Sequence, residues 1–342
     1  MDGEGIRAGE CMVETKGITD DMSNNILILS CGTRDLLVRY FKRADYERVI
    51  GADCSELAPA LYEADKYYLI PRMKEEGYFD AILEICRKEG ITAILPLQED
   101  ELNLISENRE LFEQEGIRTI VSPVETLQIC RDKYCFFEHM TEHGIPVLNS
   151  YIDLAKFEKA YEAGKIGFPV FVKPVRGAGS VGVMKVSCME LLKALFAYSE
   201  EPLLIQEFCN GREFGIDVYV DLVSGEVVDI FAKEKLRMRA GETEKSVTSN
   251  DPALKEFVYR AASTLKLSGP VDMDVFEKDG IFYLSEINPR FGGGFPHAYA
   301  CGVDTPSYIL QNLQGIANES HLQEKREEIY VLKYSDILCI DR

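Results

Sequence analysis

The chain has 342 residues, 46% of them apolar and 28% charged, ordinary globular usage that excludes wholesale disorder. Its 38 Lys and Arg against 58 Asp and Glu leave a formal charge of −20, which repels nucleic-acid phosphates and anionic membranes and excludes a general polyanion binder. At roughly 100–200 residues per domain, the length allows two or three domains. Residues 1–24 carry Asp2, Glu4, Glu10, Glu14, Asp20 and Asp21 without an apolar segment. They read as a disordered acidic lead-in and not as a signal peptide. Ten cysteines sit singly, with no C-x-x-C pair, which predicts buried reduced thiols in a soluble cytoplasmic protein. No apolar run approaches the length of a membrane span.

From Ile26 onward, short apolar runs alternate with helical stretches. Ile26–Ser30 reads as a strand followed by a helix through Phe41, and Arg48–Gly51 as a strand leading to Asp53 and a short helix near Ser55–Tyr62. Tyr78–Glu89 is amphipathic, Thr92–Leu95 a buried strand, Leu102–Glu115 helical and Arg118–Val121 a short strand. Strand alternating with helix predicts a Rossmann-like parallel sheet over residues 25–125, with ligands bound beyond the strand ends near Gly32, Asp53 and Gln98. Its first turn holds one glycine where a dinucleotide fingerprint needs three, which argues against a nicotinamide or flavin oxidoreductase.

The text from about Ile129 carries the chemistry. Arg131–His143 reads as a helix closed by Gly144-Ile145-Pro146. Its His139 and His143 are four apart but lack further metal-ligating neighbours, so they read as surface residues. Phe168–Lys173 is a strand, Arg176–Gly182 a glycine-rich hairpin connection and Val183–Val186 a strand. Gly177, Gly179 and Gly182 let backbone N–H groups approach phosphate oxygens, although a flexible hairpin tip would look the same. Lys173 puts a cation beside that loop, or else snorkels at a sheet edge. Further strands are expected at Leu203–Phe208, Phe214–Leu222 and Val227–Phe231. Lys233–Asn250 is polar without clear periodicity and is expected to be a functional loop.

Gln206-Glu207-Phe208 ends a strand whose backbone can pair with an adenine edge, and Glu213 can accept ribose hydroxyls. A helix over 252–265 precedes strands Val271–Glu277 and Ile281–Ile287, joined by the hairpin turn Lys278-Asp279-Gly280. Glu286 and Asn288, two apart, share a strand face, and Asp274 can lie opposite. Three oxygen ligands on one face suit Mg2+ when substrate phosphates complete its shell. Arg290 follows with a fixed fork for a phosphate or carboxylate. His297, after the glycine run that includes Gly293, is a candidate for lining an acceptor pocket.

Together, DKYCFFEHMTEHGIP, FPVFVKPVRGAGSVGV, LIQEFCNGREFGIDVYV and VDMDVFEKDGIFYLSEINPRFGGG resemble the ATP-grasp superfamily, in its carbamoyl-phosphate-synthase large-chain-like branch. The resemblance implies a pre-ATP-grasp domain at 25–125 and a two-lobed α+β ATP-grasp domain at 126–315. The small lobe would span about 140–207 and the large lobe about 208–315, with a C-terminal extension packing on the core at 316–342. It implies ATP and Mg2+ (or Mn2+) as cofactors, with Lys133, Lys173, Arg176, Gly177, Gly179, Ser180 and Gly182 on the phosphates. Gln206, Glu207, Phe208 and Glu213 would hold the nucleoside, and Asp274, Glu286 and Asn288 the metal.

Arg290, Lys173 and Asn288 would serve catalysis, and Arg239, Lys245, Gly293 and His297 the acceptor. The activity implied is ATP-dependent ligation of a small carboxylate to an amine through an acyl phosphate, with no nucleic-acid or membrane partner and a homodimer as the expected assembly. The alternatives are a bicarbonate- or carbamate-phosphorylating enzyme of the same fold and a non-catalytic ATP-binding subunit.

Overall fold

The computed structural model describes residues 24–177, 182–239, 241–322, 328–334 and 336–340. The acidic lead-in falls outside the described residues, as do Gly179 and Ser180 of the glycine-rich loop.

Five parallel strands form the first sheet: β1 (Asn25–Leu29), β2 (Arg48–Asp53), β3 (Lys66–Leu69), β4 (Ala93–Pro96) and β5 (Arg118–Thr119), in the order β3-β2-β1-β4-β5. Every residue of β1 is buried, which is why it reads as an unbroken apolar run and not as an alternation. Helices α1 (Asp35–Arg43), α2 (Tyr78–Glu89), α3 (Glu99–Glu107) and α4 (Arg109–Gln114) lie between these strands in sequence. Gly90, at φ 59°, ends α2 in the left-handed conformation a helix C-cap favours. The single helix expected at Leu102–Glu115 is two, broken at Asn108.

After α5 (Val124–Arg131), Asp132 caps α6 (Lys133–Glu142) by accepting from the backbone N–H groups of Tyr134 and Cys135. A four-stranded antiparallel sheet follows, built from β6 (Ser150–Tyr151), β7 (Val170–Pro174), β8 (Met184–Val186) and β9 (Leu203–Glu207). Helices α7 (Leu154–Glu162) and α8 (Met189–Tyr198) accompany it. This lobe has an apolar cluster of its own, drawn from Phe157, Ile166, Val170, Val172, Leu192, Ile205 and their neighbours.

The largest sheet has six strands in the order β14-β13-β10-β11-β12-β15. They are β10 (Arg212–Val220), β11 (Val227–Arg239), β12 (Glu242–Ser249), β13 (Gly269–Lys278), β14 (Ile281–Asn288) and β15 (Tyr330–Leu332). Lys233–Asn250 is thus no loop: its residues pair in antiparallel register between β11 and β12. Its polar composition hid the strands, because part of the ribbon borders a solvent-filled cleft in place of an apolar core. Asp279 and Gly280, at φ 54° and 75°, turn β13 into β14 with the two left-handed residues of a tight hairpin.

Helix α9 (Pro252–Ala262) packs near β11, while α10 (Phe295–Ala300) and α11 (Thr305–Leu313) follow the hairpin. They join the large sheet to the first one through a shared apolar cluster that includes Tyr40, Phe41, Phe231, Phe291 and Phe295. Tyr40 stacks on Tyr299 with ring centroids 3.7 Å apart. All nine described cysteines are free; Cys31, Cys86, Cys209 and Cys301 are buried, but Cys54, Cys135, Cys188 and Cys339 are exposed. The expectation of uniformly buried thiols therefore fails for those four. No helix among the described residues is long and apolar enough to cross a membrane.

Candidate active site

The three sheets enclose one cleft of about 630 Å3. Into it the sequence places the two strands of a single hairpin. Antiparallel register sets Asp274 opposite Glu286 and Asp272 opposite Asn288, so all four polar side chains rise from adjacent positions of β13 and β14. They stand among alternate residues that are buried and apolar: Val271, Met273, Val275 and Ile287. Asp274 pairs with Lys235 of β11 at 2.5 Å, and the same ammonium reaches Glu213 of β10 at 2.9 Å. Asn288 Nδ2 donates to Glu286 Oε1 at 3.0 Å, and Arg290 Nη1 donates to Asp272 Oδ2 at 3.2 Å. Burial raises the Asp274 carboxyl above the usual carboxylate range, and the neighbouring Asp272 and Glu286 push it the same way against the pull of Lys235. Two acids beside a third, short of cations, form an oxygen-rich site that a divalent cation would relieve.

Opposite this acid face stand the basic residues of α6 and β7. Lys173 Nζ donates to Gln206 Oε1 at 2.8 Å, and Gln206 in turn donates to Ser150 Oγ at 3.2 Å, so the amide orients the lysine. Burial pushes the Lys173 ammonium down to about 8, and Lys133 lowers it further while Glu286 and Asp274 raise it. Lys133 Nζ donates to the carbonyl of Gly177 at 2.6 Å, and Arg176 pairs with Asp132 at 3.3 Å. The entry of the glycine-rich loop is therefore tied to the first turn of α6. Gly182, at its exit, borders a smaller apolar groove with Met184 and Tyr198 instead of the main cleft.

Glu207 borders the cleft at the end of β9, where it accepts from Asn149 at 2.8 Å and pairs with Lys278 at 3.3 Å. Phe208 is not among the cleft's lining residues; Phe171 meets its ring edge-on and Lys185 Nζ sits 3.8 Å from its centroid.

The acceptor candidates divide. Gly293 lines the cleft. His297 does not: it is 1% exposed on the inner face of α10, with Nδ1 2.7 Å from Ser246 Oγ and its ring edge against Phe231. Burial lowers its imidazole to about 4, with the Lys233 charge acting the same way, so it is neutral. Arg239, 71% exposed, pairs with Glu244 outside the cleft, and Lys245 is also absent from the lining. His139 stacks on His143 and contacts the Thr264 carbonyl at 3.1 Å, as a helix-surface pair would.

Several lining residues escaped the reading of the sequence: Arg34, Lys233, Lys235 and Asp272. Asp272 and the two lysines had a signal, because each lies two positions from another polar residue on the same strand. Lys233 is 1% exposed and paired with Asp217 at 2.5 Å. It fits only because Gly294 has no side chain; a Cβ there would come within 2.4 Å of Lys233 Cε.

Two family models match the chain. Residues 26–120 match "PylC-like, N-terminal domain", and residues 199–337 match "ATP-grasp in the biosynthetic pathway with Ter operon". Residues 199–337 thus belong to an ATP-grasp domain. Among its ATP-grasp relatives is the carbamoyl phosphate synthase large chain of Methanothrix thermoacetophila, 24% identical over 79% of this chain and 26% of the relative. Another is the D-alanine--D-alanine ligase of Ruminiclostridium cellulolyticum, 31% identical over 48% of this chain and 50% of the relative.

The chain thus spans less than two thirds of these curated relatives. Among solved ATP-grasp structures, the biotin carboxylase domain of Hydrogenobacter thermophilus 2-oxoglutarate carboxylase superposes with a TM-score of 0.72 at 20% identity, covering 90% of this chain and 73% of that one. Staphylococcus aureus N5-carboxyaminoimidazole synthetase does so at 0.69 and 17% identity, covering 87% and 79%. These likenesses establish the fold expected from the sequence: a parallel-sheet domain followed by a two-lobed ATP-grasp fold.

Proposed function

We propose that this chain is an ATP-dependent carboxylate–amine ligase that works through an acyl phosphate and releases ADP and phosphate. The observation that carries the reading is the single cleft that faces Lys133 and Lys173 toward the Asp274, Glu286, Asn288 and Arg290 hairpin. Cations on one wall and crowded carboxylates on the other suit a polyphosphate whose counter-ion is a divalent metal. Asp274, Glu286 and Asn288 would hold Mg2+, or Mn2+ in its place. Among the described residues no three His, Cys, Asp or Glu side chains cluster as a metal cage. The proposed cation is held by two carboxylates and one amide and completed by phosphate oxygens. When bound, the metal neutralises charge on the phosphate oxygens.

Lys133, Lys173 and the backbone N–H groups of the glycine-rich loop would bind the phosphates, with Arg176, Gly177, Gly179, Ser180 and Gly182 closing over them. Gln206, Glu207 and Glu213, which line the cleft, would border the nucleoside, with Phe208 following them in the chain just outside the lining. A substrate carboxylate oxygen attacks the γ-phosphorus; the bond from that phosphorus to the β,γ-bridging oxygen breaks, and ADP leaves with the electron pair. An amine then attacks the acyl carbon, inorganic phosphate departs, and the nitrogen loses its extra proton. Arg290 steadies the transferring group, and closure of the small lobe keeps water from the acyl phosphate.

Screening pairs of amino acids and small acids for ADP release, with mass spectrometry of the products, tests this reading. Coupled ADP release and amide formation is expected; nucleotide binding with no ADP release under any pair would leave the non-catalytic ATP-binding subunit. Bicarbonate belongs in the panel, because the Hydrogenobacter thermophilus structure holds MgADP and bicarbonate, and bicarbonate-dependent ADP release would select the carboxylating alternative. The same structure is a domain dimer, and a homodimer is the proposed assembly here, to be checked by light scattering.

A further inference from the structure

The turn between β1 and α1 brings a residue of the first sheet into the cleft. Gly32, at φ 51°, donates its N–H to Asp53 Oδ2 at 2.9 Å, and Arg34 N donates to the Cys31 carbonyl at 2.9 Å, so the turn is held from both sides. Arg34 then extends across to the segment after the β13–β14 hairpin, where its Nη1 donates to the carbonyl of Phe291 at 3.2 Å. Arg290 Nη1 donates to the same oxygen at 3.0 Å. Two guanidinium groups from distant parts of the chain thus converge on one neutral acceptor. Arg290 also has Asp272, whereas Arg34 has no carboxylate within ion-pairing distance among the described residues. Burial lowers the Arg34 guanidinium from its ordinary value and the charge of Arg290 acts the same way, while Glu242 and Asp272 pull it back up only in part. Both arginines line the cleft with Gly293, where a Cβ would stand 3.3 Å from the Glu242 carboxylate, itself paired with Lys333 at 2.9 Å.

We propose that Arg34 and Arg290 form a two-arginine subsite for a carboxylate of the small-molecule substrate, and that Arg34 makes the first-sheet domain a specificity-determining wall of the active site. A guanidinium offers a planar fork to a carboxylate, and a second one beside it compensates the −20 background that otherwise repels an acid. A carboxylate placed between them turns mutual repulsion into two attractions. This inference rests on the ligase reading above, since it needs the nucleotide to occupy the rest of the cleft.

The probes are acetate, malonate and succinate, with malonamide as the uncharged control, titrated calorimetrically into protein saturated with MgADP. Wild-type protein is expected to bind at least one of the acids and not malonamide. In Arg34→Gln the acid should bind about tenfold more weakly or worse, while MgADP affinity stays within about twofold. Arg34→Lys, which keeps the charge but lacks the fork, should recover only part of the loss. A merely structural arginine would instead weaken MgADP binding in parallel and lower the melting temperature of both variants. Equal acid binding in wild type and Arg34→Gln overturns the proposal, as does a wild type that takes up none of the acids. Failure of the wild type to bind MgADP would strike at the nucleotide site itself and is read separately.

Discussion

Acids in two regions of this molecule are served on opposite terms. At the end of α2, facing the first sheet, the Glu89 side chain is 3% exposed and fully served: Lys66 at 2.6 Å, Arg48 at 2.9 Å and the Tyr68 hydroxyl all meet its carboxylate. Those donors, Lys66 and Tyr68 foremost, hold its carboxyl down to about 2. On the β13–β14 hairpin, Asp272, Asp274 and Glu286 share Lys235 and Arg290 among three carboxylates, and burial with like-charge crowding raises Asp274. A satisfied acid fixes the fold; an under-served one leaves capacity for a ligand the protein does not itself supply.

That contrast breaks first at the hairpin. Glu286→Ala or Arg290→Ala should cut ADP release by about a hundredfold or more, measured in a coupled assay, whereas Glu89→Gln should leave it within about twofold. Gly294→Ala places a Cβ 2.4 Å from Lys233 Cε and forces that lysine away from Asp217. We expect about a tenfold loss of turnover and about 1–3 kcal/mol of stability, read from activity and urea melts.

Glu89→Gln should cost a similar 1–3 kcal/mol or somewhat less, by leaving its cationic partners without a counter-charge. Because its folded-state carboxyl lies near 2, below the unfolded value, the unfolded chain binds more protons across that interval. The wild-type urea midpoint should therefore fall as pH drops from about 4.5 toward 2, and the variant should lose part of that slope. The smallest effect is at Lys173: as pH rises through about 8 its ammonium deprotonates. MgADP affinity of the free protein should then weaken a few-fold, and Lys173→Arg should remove the inflection.

Much of this was legible beforehand because it is written in short range. The unbroken apolar run of β1, the Lys278-Asp279-Gly280 turn and the two-residue spacing of Glu286 and Asn288 each follow from local stereochemistry. The hairpin's register then delivered Asp274 across from Glu286. The ribbon from Lys233 to Asn250 was misread, since strands that border a cleft lose the apolar alternation by which strands are recognised. Its place after a glycine run makes His297 a candidate for an acceptor pocket; in the fold α10 turns it inward onto Ser246. Arg34 had no local signal at all: 257 positions separate it from Phe291, and only the packing of the first sheet against the large one unites them.

The distribution of apolar clusters decides which part of the molecule can move. The first and largest sheets are welded by the Tyr40, Phe291, Phe295 and Tyr299 aromatics, while the four-stranded lobe carries a separate oily interior. A swing of that lobe would uncover little grease, so the jaw can gape to admit nucleotide and shut again while the anvil beneath it, arginines included, stays still.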